Sequence, residues 1–203
     1  MANRDAAFGA RPIRYQNGSP WNGAANRYWA PSSYATNLFI GDPVVIVGDS
    51  NDNEVMGQPP GSMSEVNLAA AGDGVAFTGF IVGFDNVTRD SLLYGAASTD
   101  RIVLVADDPN LVFIAQDDGG GTLSADTVGL NANLISGTGS TVTGLSGWEI
   151  DGGTTDGPDA DASNQLLLLR LYPAHDNEIS DFAIWEFLIN QHTYKPASGL
   201  GIL

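Results

Sequence analysis

Short runs of β-branched and aromatic residues, separated by clusters of Gly, Asp, Asn and Pro, fill most of the chain after residue 41. Runs of this length between frequent turn signals are typical of strands in a sandwich or barrel. We predict strands at 43–48, 65–70, 74–84, 101–106, 111–116, 147–150, 165–172 and 183–190. In 118–163, rich in Gly, Thr, Ser and Asp, we expect short strands near 127–135 and 140–145 with loops between them.

Local details refine three parts of this prediction. The glycines of 74–84 are expected to mark a bend at a barrel corner. The sequence ADDPN at 106–110 predicts a hairpin turn in which Asn110 can take a left-handed conformation. Residues 176–190 would partly suit a helix, but the β-branched and aromatic residues of their second half favour a strand.

The first forty residues follow neither a helical period nor sustained alternation. They mix aromatic side chains and arginines with turn formers and X-Pro bonds. We therefore predict an extended, aromatic and arginine-bearing arm at 1–40, followed by a single β-rich domain with acidic loops at 41–203. Aromatic-rich segments are rarely solvated, so the arm should lie against its own barrel or against a neighbouring chain.

Composition and charge narrow the class of partner. The chain of 203 residues suits one domain, has no cysteine and carries a formal net charge of −16. Residues 1–41 hold four arginines and one acid, a net +3, whereas residues 42–203 hold four basic residues and 23 acids, a net −19. Nucleic acid would be repelled by such a body. The arginines of the arm either lie across this acidic surface or dock on an acidic partner.

No apolar run approaches the ~18 residues that a membrane-spanning helix needs, so we expect a soluble protein that does not act at a membrane.

Gly-Asp-Ser at 48–50 resembles the nucleophile block of a lipase-like serine hydrolase. In that family the histidine and aspartate come from a D-x-x-H pattern near the C-terminus. Here Tyr172 precedes His175 by three residues and Ile189 precedes His192 by three. Because Ser50 lacks this partner, we predict that the protein is not an enzyme.

The candidate cofactor-binding motifs are also incomplete. The glycine-rich segments lack the spacing of phosphate-binding loops. The acidic loops at 49–54 and 159–163 begin like EF-hand loops, but Glu54 replaces the required glycine, and Pro60 and Arg170 stand at the two closing positions. We predict neither metal nor cofactor and interpret these acids as solvated turn residues, although a calcium site of another kind stays open.

Several segments taken together resemble the capsid cement, or decoration, proteins of tailed bacteriophages. They are RDAAFGARPIRYQNGSPWNGAANRYWAPSSYATNLFIGDPVV, GFIVGF, RIVLVADDPNLVFIAQDDG, VGLNANLISGTGSTVTGLSGWEID and DNEISDFAIWEFLINQHTY. The resemblance implies a β-rich, barrel-like protein on the capsid surface of the virion. Such a protein would bind the major capsid protein, either as a monomer or as a homo-oligomer, and stabilise the contacts between the capsid subunits.

Arginine and aromatic side chains commonly anchor interfaces, because they bury large areas and make directed hydrogen bonds. The predicted capsid contacts are therefore Arg11, Arg14, Tyr15, Trp21, Arg27, Tyr28 and Trp29. The competing interpretation is that these residues cover the open end of the chain's own barrel. A second functional hypothesis is a receptor- or glycan-binding β module, such as a head fibre or tail accessory protein.

Overall fold

The computed structural model describes residues 3–85, 88–121, 123–153 and 157–195, and it is built almost entirely of strands, which confirms the all-β prediction. The strands are β1 (Arg11–Tyr15), β2 (Asn26–Ala30), β3 (Pro43–Ser50), β4 (Ser64–Leu68), β5 (Gly79–Phe84), β6 (Arg101–Ala106), β7 (Leu111–Gln116), β8 (Asn131–Ala132), β9 (Leu134–Ile135), β10 (Glu149–Ile150), β11 (Leu166–Leu171) and β12 (Ile184–Ile189). One 3-10 turn covers Ala125–Thr127. Within these ranges no helix is long and apolar enough to cross a bilayer.

Five strands close into a barrel in the order β2-β4-β3-β5-β6. Along β6, strand β2 pairs antiparallel over five residues. On its other side, β2 meets β4 in parallel through a single bridge, Trp29 to Glu65. The seam between β2 and β4 therefore has the fewest paired residues of the barrel strands described.

A second, antiparallel sheet has the order β1-β7-β12-β11-β8, and β9 and β10 form a short ribbon beside it. The main core lies between this sheet and the barrel. Its centre is a group of aromatic rings in which Phe80 of β5 lies 4.9 Å from Phe113 of β7 and 5.9 Å from Phe187 of β12, measured between centroids. Burial of such side chains is worth roughly 1.5–3 kcal/mol each, so this contact joins the two sheets into one unit.

The chain passes from the barrel to the sheet at 107–110, and the prediction of a hairpin there is wrong. Strand β6 pairs with β5 and β2, whereas β7 pairs with β1 and β12. Nor is Asn110 left-handed, since it is not among the described residues with positive φ. Its backbone N–H instead donates to Asp108 Oδ1 at 2.8 Å, and this Asx turn makes the corner.

The predicted bend in β5 is present as a register shift between Ile81 and Gly83. Gly79 has a separate role, because a Cβ there would lie 2.3 Å from the carbonyl oxygen of Ala106. Only glycine permits this close approach of β5 to the end of β6.

Residues 1–40 were expected to lack regular structure, but they supply β1 to the sheet and β2 to the barrel. Local pattern hides both strands. β1 carries Pro12 and a register shift between Pro12 and Arg14, which interrupts alternation, and proline is tolerated there because β1 is an edge strand. At 140–145 the expected strand is absent, and the chain forms a turn there instead.

Candidate interaction surface

One face of the five-stranded sheet points away from the core and gathers arginine side chains. Phe113 and Phe187 point into the core, so their neighbours Ile114 and Glu186 point outward. Cross-strand pairing aligns Arg11, Ile114, Glu186 and Arg170 in one row over β1, β7, β12 and β11. We call this row, together with Arg14, the arginine face.

Glu186 organises this face. The residue is 1% exposed, and its carboxylate accepts from Arg14 Nη2 at 2.6 Å and from Arg170 Nη2 at 2.9 Å. The hydrogen bond to Glu186 raises the pKa of Arg170. Because one acid satisfies two cations, both guanidinium groups are fixed in orientation while Arg170 stays largely open to solvent.

Arg11 is the unpaired cation of the face. Its guanidinium carbon lies 4.6 Å from the centroid of the Phe8 ring. None of the carboxylates that the structure describes forms an ion pair with it. The arginine face thus carries three arginines and one glutamate, a formal +2 on a chain whose net charge is −16.

The remaining predicted contacts lie elsewhere or face inward. Tyr15 and Trp21 pack half-buried against the main core. In the barrel, Arg27 forms an ion pair with Asp85 at 3.1 Å and Trp29 Nε1 donates to Asp100 at 3.1 Å. The seven residues therefore divide between two regions.

Tyr28 is the one buried residue among these seven. It is 5% exposed, belongs to the barrel core, and donates from its hydroxyl to Asp107 at 2.5 Å. Burial, reinforced by the bond to Asp107, raises its pKa. In this conformation its side chain fills part of the barrel core.

Sequence reasoning missed Arg170 and Glu186, although both lie in predicted strands. The available signal is a single charge inside an apolar run, as in LLLLRL and AIWEFL. A lone charge in a strand that is otherwise buried needs a partner, and here the two lone charges pair with each other.

Ser50 ends β3, and its backbone N–H donates to Asp49 Oδ1 at 2.7 Å. No hydrogen bond joins its hydroxyl to a histidine within the described part of the chain. His192 is buried and its Nδ1 accepts from the Tyr194 N–H, while burial, with help from Lys195, lowers its pKa to about 4. His175 lies exposed in a loop.

The acidic loop at 159–163 forms successive turns held by its own side chains. Asp159 Oδ1 accepts from the Asp161 N–H at 2.7 Å, and Asp161 Oδ1 accepts from the Ser163 N–H at 2.8 Å. The bond from Ser163 lowers the pKa of Asp161. Across the described ranges no three His, Cys, Asp or Glu side chains are placed to share a metal ion.

No family model, curated protein or solved structure matches this chain. The likeness to cement proteins therefore stays a prediction from the sequence segments quoted above, and function has to be inferred from the geometry.

Proposed function

We propose that this protein is a virion structural protein of the cement, or decoration, class. It would bind the assembled phage head and stabilise the contacts between major capsid subunits. The observation that carries the proposal is the arginine face, a positively charged sheet surface on a strongly acidic protein. Together with the likeness of the quoted segments, it supports docking on an acidic surface of the capsid.

The face suits carboxylates of a partner. Guanidinium groups present several N–H donors in a fixed fork that matches a carboxylate. Arg11 has no carboxylate partner within the described residues, and Arg170 keeps half of its side chain exposed while one edge is held by Glu186. Because Glu186 already orients Arg14 and Arg170, little rotamer freedom would be lost on binding.

The strand that carries Arg11 is firmly held. β1 pairs with β7 on one side, and on the other the chain folds back so that the Tyr15 N–H donates to Ser19 O at 2.7 Å and the Trp21 N–H donates to Ile13 O at 3.1 Å. A protein that binds only the assembled head stabilises the head by mass action. A rigid surface strengthens this binding, because less conformational freedom is lost when the complex forms.

The test adds the full chain to undecorated heads and measures binding by co-sedimentation and the temperature at which the heads break open. We expect wild-type protein to bind and to raise that temperature. Arg11→Glu should weaken binding by about tenfold or more, because it replaces attraction by repulsion at an exposed position. Higher salt should weaken wild-type binding as well.

The matched control is Arg89→Glu, which makes the same charge change at an exposed site in the loop between β5 and β6. It should bind as wild type does. The proposal is contradicted if wild-type protein does not bind heads at micromolar concentration. If both variants lose the same amount of binding, the arginine face is not the surface that contacts the capsid. Deletion of residues 1–35 would be uninformative, because it removes β1 and β2 from the fold.

A further inference from the structure

A polar cleft opens at the seam between β2 and β4. The bridge between Trp29 and Glu65 is the only pairing between β2 and β4 within the described residues. Before this bridge the two parallel strands separate, so that residues 25–28 face Ser62 and Ser64 across an open cleft of about 710 Å³. Asp85, Leu104 and Tyr194 complete its walls.

One wall is an aromatic ring that is exposed and yet fixed. Tyr194 is 50% exposed, and its hydroxyl lies 2.8 Å from the hydroxyl of Tyr28. Since Tyr28 donates to Asp107, the Tyr194 hydroxyl is the donor in this contact. The His192 ring, 5.7 Å away between centroids, supports it further. The exposed ring is thus held in place as a flat apolar platform.

The other walls offer both hydrogen-bond donors and hydrogen-bond acceptors, and the charges of their side chains cancel. Arg27 and Asp85 pair at 3.1 Å, with 54% and 31% of their side chains exposed. Asn26 donates from Nδ2 to both oxygens of Asp107 at 2.9 Å, which fixes its amide and turns Oδ1 into a defined acceptor. Ser62 donates to Pro59 O at 2.6 Å and keeps its acceptor lone pairs.

We propose that this cleft binds a neutral saccharide. The ring of Tyr194 would pack against the apolar C–H face of one sugar unit, while the Arg27–Asp85 pair and Asn26 would exchange hydrogen bonds with its hydroxyls. A hydroxyl both donates and accepts, and a paired guanidinium and carboxylate side by side match that property. This binding is a further activity, independent of the arginine face and of capsid binding.

Other ligand classes fit less well. A phosphate or an acidic peptide needs an excess of positive charge, whereas the cationic Arg27 is already neutralised by Asp85. An apolar ligand would leave the hydroxyls and amides of the lining without partners. A peptide strand that adds to the seam would find only residues 26–28 of β2 before the bridge at Trp29 closes it.

The test uses the full chain and saturation-transfer NMR with maltose, cellobiose, lactose and N,N′-diacetylchitobiose at millimolar concentration. We expect at least one of these sugars to bind. Tyr194→Ala should weaken that binding by about tenfold or more, and Tyr194→Phe, which keeps the ring, by only about two- to threefold. Arg27→Ala should weaken it as well.

Tyr172→Ala, which truncates a half-buried tyrosine on the sheet side, serves as the control and should bind like wild type. A thermal melt of each variant shows whether it is folded. The proposal is overturned if none of the four sugars binds, if Tyr194→Ala binds as well as wild type, or if only inorganic phosphate or a peptide binds. Sugar binding should survive Arg11→Glu, and capsid binding should survive Tyr194→Ala, so the two proposals fail separately.

Discussion

Two arginines from the N-terminal segment form ion pairs in opposite settings. In the sheet, Arg14 and Arg170 enclose Glu186, whose side chain is 2% exposed. In the barrel, Arg27 meets Asp85, whose side chain is 31% exposed. The distances are similar, so distance does not separate the pairs. The two pairs differ in the free energy that is lost when the acid or its partner is left unpaired. This loss rises steeply with burial.

The largest effect should come from Glu186→Gln. Without the carboxylate, Arg14 and Arg170 lose their common partner and two like charges face each other across the sheet. We expect a loss of about 2–4 kcal/mol in the free energy of unfolding, slightly below the usual value for a broken buried pair because both arginines reach solvent. Chemical denaturation measures it. A loss no larger than that of Asp85→Ala would show that burial does not separate the two regions.

Replacing a half-buried acid that lacks a full set of hydrogen-bond partners should stabilise the fold instead. Glu149 of β10 has an oxygen, Oε1, that is buried and has no hydrogen-bond partner among the described residues. Burial, followed by repulsion from Asp5, Asp118 and Asp117, raises its pKa to about 7. The folded state therefore holds its proton more tightly than the unfolded chain, and stability falls as the pH rises from about 4.5 to 7.

Glu149→Gln should thus be more stable than wild type at pH 8 and equal to it near pH 4. We expect a melting temperature about 2–4 °C higher at pH 8, the size of a 1 kcal/mol change after allowance for the partial exposure of Glu149. Thermal melts of both proteins at the two pH values measure the difference. A variant less stable than wild type at pH 8 would mean that the ionised carboxylate is satisfied in the fold.

The smallest effect is expected for Asp85→Ala. The exposed pair with Arg27 contributes about 0–1 kcal/mol, and salt should reduce the difference from wild type. Denaturation at low and high ionic strength measures it. A loss above about 2 kcal/mol would mean that this pair holds β2 to the end of β5 as strongly as a buried ion pair would, and would remove the contrast with Glu186.

The sequence predicted those strands that consist of an apolar, β-branched run flanked by turn-forming residues. Bounds for β6 and β7 were predicted correctly, because these apolar runs are flanked by Asp100 and Asp107 and by Asn110 and Asp117. β1 and β2 were not predicted, since each is only five residues long and pairs with a strand far along the chain. The arginine face could not be predicted from the sequence either, because it also depends on pairing between distant strands. Arg11 was recognised as a contact candidate, but its alignment with Glu186 and Arg170 depends on the register of four strands, which no local pattern encodes.

The position of β12 has a consequence for how the protein is made. The last described strand of the chain lies at the centre of its sheet, between β7 and β11, and supplies Glu186, while the first strand supplies Arg14. Folding of such non-local β topologies takes milliseconds to seconds and cannot finish until the distant partners are both present. The arginine face can form only after Ile189 has left the ribosome. Unfinished chains would therefore carry Arg11 and Arg14 without the assembled arginine face.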